Sequence, residues 1–128
     1  MKQVLLLDDD PAQLSVRQLL LRRMGGIESQ TATEAQTALA LLRGGSGLTT
    51  FGAVITDHIM PDVDGPEFVR QLRIFAPGIP VIVVSGLPEA DAAYAGLDVV
   101  FLQKPCEPEE LIAAVKRALN SGQGRASA

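Results

Sequence analysis

Cysteine is almost absent from this 128-residue chain: Cys106 is the only one, which excludes an internal disulfide and any cysteine-based zinc site. It is read as a small packing residue without a redox role. Tryptophan is missing, tyrosine occurs once and phenylalanine four times, too few aromatic faces for a base-stacking surface. The eleven basic residues form no long block and are outnumbered by fifteen acidic ones, so nucleic-acid binding is not expected. No apolar run approaches the roughly 20 residues that span a bilayer. The N-terminal Val4-Leu5-Leu6-Leu7 is too short for a secretory signal, and a cytoplasmic protein is expected. The glycines at 44, 45 and 47 are not followed by Gly-Lys-Ser/Thr, which removes a phosphate-binding loop.

What is present is an alternation. Four Val- and Ile-rich runs, Val4 to Leu7, Ala53 to Thr56, Val81 to Val84 and Val99 to Leu102, read as strands buried on both faces. A weaker run, Ile27 to Thr31, suits an edge. Helical periods separate them: Val16, Leu19, Leu20 and Met24; then Phe68, Leu72 and Phe75; then Leu111, Val115 and Leu119. Pro11 and Pro108 mark helix starts, and Thr33 with Gln36 has capping-box spacing. Residues 43–52 read as a flexible connector and 121–128 as a frayed tail, which leaves one domain over 1–120. Five strand–helix alternations predict an α/β fold, a doubly wound five-stranded parallel sheet with helices on both faces. Ligands of such sheets bind beyond the carboxyl ends of the strands.

Those ends carry the chemistry. Asp8-Asp9-Asp10 follows the first strand, Asp57 the third, Ser85 the fourth and Lys104 the fifth. Clustered carboxylates repel one another unless a cation joins them, and an oxygen-rich set of this kind suits Mg²⁺. Lys104 supplies a point charge for a phosphoryl oxygen and Ser85 a donor for another, so the set describes phosphoryl transfer to an aspartate. Asp10, before Pro11, is expected only to cap the first helix.

The runs Val-Leu-Leu-Leu-Asp-Asp-Asp-Pro (4–11), Val-Ile-Thr-Asp-His-Ile-Met-Pro-Asp-Val-Asp-Gly (54–65), Val-Ile-Val-Val-Ser-Gly (81–86) and Phe-Leu-Gln-Lys-Pro (101–105) resemble bacterial response-regulator receiver domains. The resemblance covers about residues 3–119 and implies a flavodoxin-like sheet of order 2-1-3-4-5. It implies Asp57 as phosphoacceptor, Mg²⁺ held by Asp8, Asp9, Asp57 and the Ile59 carbonyl, and Ser85 and Lys104 on the phosphoryl group. Phe101 matches the switch aromatic, and the Lys104–Pro105 bond is expected to be cis. The implied donor is a phosphohistidine on a histidine kinase or a histidine phosphotransfer protein. The output partner is left open, the state expected is monomer or weak dimer, and no enzymatic activity is expected beyond the domain's own phosphorylation and dephosphorylation.

Three departures stand out. Gly86 to Asp98 is too short for a regular fourth crossover helix, Cys106 stands where the family commonly has Phe, and Phe101 replaces the commoner Tyr. His58 should point away from Asp57 along an extended strand end and is read as a spectator. Ile59 and Leu87, two residues after Asp57 and Ser85, flank the water path in receivers and predict slow dephosphorylation. The rivals are an unphosphorylated receiver-like docking module and a haloacid-dehalogenase-type phosphohydrolase with Asp8 as nucleophile. Gly-Pro-Glu (65–67) and Gln-Lys-Pro (103–105) resemble receivers of hybrid histidine kinases, so a domain cut from a larger protein is an expectation alongside a stand-alone one.

Overall fold

The period of two along each central strand sorts its side chains into two cores. Val4, Leu6, Ala53, Ile55, Ile82 and Val84 meet one layer of helices, whereas Leu5, Leu7, Val54, Val81 and Val83 meet the other. The computed structural model describes residues 2–45, 47–58 and 64–127, with Leu48 and residues 121–127 described by backbone alone. Strands β1 (Gln3–Leu7), β2 (Ser29–Ala32), β3 (Phe51–Asp57), β4 (Val81–Ser85) and β5 (Val100–Gln103) form one parallel sheet of order β2-β1-β3-β4-β5. The weak alternating run does form the edge strand β2. Helices α1 (Pro11–Gly25) and α5 (Pro108–Ser127) cover one face. Helices α2 (Ala35–Arg43) and α4 (Gly65–Phe75) cover the other. The doubly wound parallel sheet expected from the alternation, in the order that the receiver resemblance implies, is the sheet found.

Local starts and stops follow from the residues. Asp10 caps α1 by accepting from the Ala12 N–H at 3.0 Å, Pro11 opens the first turn, and Gly26 ends the helix at φ +64°. Asp64 caps α4, accepting from the Glu67 N–H at 2.9 Å. The capping box at Thr33 does not form: Glu34 holds the N-cap position of α2 and makes no side-chain cap bond. Within the expected connector, residues Gly47–Thr50 make one helical turn, α3. The backbone of α5 continues through the segment read as a tail.

The apolar period assigned to α1 points the wrong way. Val16, Leu19 and Met24 are 57%, 49% and 44% exposed, and the face toward the sheet is Leu14, Arg17 and Leu21. An arginine at the centre of the buried stripe hides the stripe from a reading that counts only apolar residues. The short stretch after β4 forms a single 3₁₀ turn, η1 (Ala90–Tyr94), in place of a regular crossover helix.

Candidate functional site

The parallel sheet delivers the carboxyl ends of β1, β3, β4 and β5 to one rim. Asp8 directly follows β1, Asp57 ends β3, Ser85 ends β4, and Lys104 directly follows β5. Carboxylate oxygens of Asp8, Asp9 and Asp57 lie within 4.8 Å of one another, a separation that one cation could bridge. Lys104 Nζ stands 3.5 Å from Asp57 Oδ1, and the Lys104 N–H donates to the Ser85 carbonyl at 2.7 Å. The Lys104–Pro105 bond is cis. Ser85 is buried, and its Oγ accepts from the Leu87 N–H at 3.0 Å. Leu87 itself is half exposed. Phe101 is half-buried against the α2/α4 core. The expected Ile59 carbonyl ligand lies outside the described residues, as does the Ile59 half of the water-path reading.

Asp8 is the buried member of the acidic set, at 2% exposure. Its Oδ1 accepts from the Asp10 N–H at 3.0 Å and its Oδ2 from Arg17 Nη1 at 3.2 Å. Burial holds its carboxyl above the ordinary carboxylate range and the Asp57 charge adds to this, while the Asp10 N–H and Arg17 pull the other way. Arg17 reaches Asp8 because both lie on the α1/α5 face, α1 descending from the rim just beyond it. Its charge also reaches Cys106, whose thiol is nonetheless pushed up by burial first and then by Glu110. The lone cysteine is thus kept protonated, as befits a packing residue.

Asp57 and His58 point to opposite faces. The His58 N–H donates to Asp57 Oδ1 at 2.9 Å, but its ring lies on the α2/α4 side, with Nδ1 2.8 Å from the Tyr94 hydroxyl. The rings meet edge-on at 5.6 Å, and Tyr94 in turn lies 6.3 Å from the Phe101 ring.

The sequence matches the family described as response regulator receiver domain over residues 4–116. The chain belongs to that family. It is 36% identical over 122 residues to the C4-dicarboxylate transport transcriptional regulatory protein DctD of Pseudomonas aeruginosa, covering 91% of this chain and 25% of that one. The chain spans between 24% and 50% of the length of the curated relatives it matches. Among solved structures, a CheY-like receiver domain from Methanospirillum hungatei superposes with a TM-score of 0.85 at 26% identity, covering 98% of each chain. The receiver domain of a signal transduction histidine kinase from Syntrophus aciditrophicus gives 0.81 at 26%, covering 94% and 92%.

In this receiver domain the described rim brings together Asp8, Asp9, Asp57 and Lys104, with Ser85 joined to Lys104 through the backbone. Sequence reasoning passed over two residues at the site. Arg17 was legible only by counting it into the stripe Leu14, Arg17, Leu21 at i, i+3, i+7. Tyr94 gave no signal beyond being the sole tyrosine.

Proposed function

We propose that this domain accepts a phosphoryl group onto Asp57 from a phosphohistidine of a histidine kinase or phosphotransfer protein, in the cytoplasm, and signals through a change of conformation. The observation that carries the reading is the ammonium of Lys104 at 3.5 Å from a carboxylate that shares a 4.8 Å cluster with two others. Clustered carboxylate oxygens suit Mg²⁺, which leaves further positions to waters and phosphate oxygens, and Asp8, Asp9 and Asp57 would hold it, with the Ile59 carbonyl as the further expected ligand. When bound, the ion neutralises charge on the transferring group. Both contacts to Asp57, from the His58 N–H and Lys104, fall on Oδ1. Oδ2, with no donor among the described residues, is therefore assigned the attack on phosphorus. The new P–O bond forms as the P–N bond to the donor imidazole breaks, and the imidazole leaves with the bonding pair. Lys104 and the Ser85 hydroxyl then face the phosphoryl oxygens. Asp8 is ill suited to be a nucleophile, as it is buried with both oxygens engaged, which weighs against a dehalogenase-type reaction. The exposed apolar stripe Val16, Leu19 and Met24 on α1, a helix that starts at the rim, offers a donor helix a surface to pack on.

Incubation with phosphoramidate and Mg²⁺ is expected to add one phosphoryl group, located at Asp57 by peptide mapping and lost entirely in Asp57→Asn. Undiminished labelling of that variant would sink the proposal. Lys104→Ala removes the side-chain cation that faces Asp57 among the described residues, and labelling should slow on the order of 10²-fold, the usual cost of losing one preorganised donor. An unchanged rate would take Lys104 out of the chemistry.

A further inference from the structure

Lys104 joins the rim to the end of β5 directly, and on the α2/α4 side the stretch between β4 and β5 forms the short turn η1, whose Tyr94 is bonded toward the rim. We propose that the His58–Tyr94 hydrogen bond is a link, beside the direct one through Lys104, that passes the phosphorylation state of Asp57 to η1 and Phe101. The inference rests on Asp57 being the acceptor. It gives His58 a positioning role in place of the spectator's role read from sequence.

His58 is tied on three sides. Its N–H is shared between Asp57 Oδ1 at 2.9 Å and the Val84 carbonyl at 3.3 Å. Its carbonyl accepts from the Gly65 N–H at 2.9 Å, and its ring meets the Tyr94 hydroxyl at 2.8 Å. Loading Asp57 with a phosphoryl group changes what Oδ1 offers the His58 N–H, and the peptide unit next to the acceptor must readjust. The ring moves with it. Tyr94 is only 3% exposed, so its hydroxyl cannot turn to water instead and must follow the imidazole or lose its partner. Burial, with the charges of Asp64 and Asp57, raises the phenol above its ordinary value, so it keeps its proton and donates to Nδ1 when the imidazole carries its proton on Nε2. The space for this bond exists because residue 65 is glycine: a Cβ there would overlap the Tyr94 hydroxyl. Tight packing of this kind moves between discrete arrangements, and the Phe101 ring is the next group in line from Tyr94.

The composition supplies the probe. With one tyrosine and no tryptophan, the emission of the full chain excited at wavelengths beyond phenylalanine absorption comes from Tyr94 alone. Emission and intact mass are followed together after phosphoramidate is added in the presence of Mg²⁺. In the wild type the emission should change with the time course of the mass gain, and neither should change in Asp57→Asn. In His58→Leu the mass should rise while the emission response is lost. In His58→Asn, whose amide reaches the position of Nδ1, the response should return. Far-UV circular dichroism of each variant, matched to the wild type, separates loss of the link from loss of fold. A mass gain without an emission change in the wild type overturns the link alone, as does a His58→Leu response equal to wild type. No mass gain in the wild type overturns the acceptor reading, and the link falls with it.

Discussion

Replacing Arg17 by methionine is expected to destabilise the metal-free domain by about 3–5 kcal/mol, the range seen when one partner of a buried ion pair is removed. For a domain of this size that is a fall in Tm of roughly 10–20 °C. The cause is Asp8, which is 2% exposed and would keep its charge with, among the described residues, the Asp10 N–H as its remaining donor, beside Asp9 and Asp57. From sequence Asp8 and Asp9 have no basic neighbour, and Mg²⁺ is expected to relieve their repulsion. The fold corrects this: Arg17, nine residues on, is a tethered counter-charge at 3.2 Å. Millimolar Mg²⁺ should therefore raise the Tm of Arg17→Met more than that of the wild type, because binding stabilises by RT ln(1 + [L]/Kd) and the variant site is the more negative. A variant melting within about 2 °C of the wild type without metal would falsify the role given to this ion pair.

The same carboxyl sets a pH dependence. A folded-state pKa raised above the unfolded one means that the native state binds more protons between the two values, so stability falls as pH rises through that window. Above the window the penalty is complete. Lowering the pH of the metal-free protein from neutrality into the window should thus add stability through Asp8, the reverse of the ordinary carboxylate pattern. The gain should be larger in Arg17→Met, where the Arg17 pull in the opposite direction is gone. Melts across this range with and without Mg²⁺ check the sign, since protons and metal compete for the same oxygens.

Gly65→Ala should cost about 1–3 kcal/mol, an overpacking penalty, although alanine is itself a good residue for a helix start. The added Cβ would overlap the Tyr94 hydroxyl and press on the His58 carbonyl at 3.0 Å. Tyr94→Phe removes the obstructing oxygen, so the same glycine substitution in that background should cost at least about 1 kcal/mol less. Denaturant melts of the four proteins in this cycle give the coupling directly. Equal costs in the two backgrounds would mean that the hydroxyl is not what confines residue 65.

The legible parts of this protein are those governed by local rules. Runs such as Val4 to Leu7 and Val81 to Val84 are apolar at every position because strands of a parallel sheet are covered on both faces. Right-handed crossovers then bring their carboxyl ends to one rim, and the side-chain period of two sends His58 away from Asp57. Chemistry placed at strand ends can be read in this way, and the cluster of Asp8, Asp9, Asp57 and Lys104 is the result. Helix faces were harder. The apolar residues Val16, Leu19, Leu20 and Met24 predict one inward face of α1, whereas the buried Asp8 opposite makes Arg17 an inward residue.

By itself, then, the sequence determined the order of elements, the rim and the residue types on it, since each depends on patterns within a few residues. Tertiary structure alone decided the pairings. Arg17 with Asp8, nine residues apart, and His58 with Tyr94, thirty-six apart, are bonds between elements. Such bonds depend on the few ångströms by which packed helices and turns approach the sheet, and no periodicity along the chain encodes that distance.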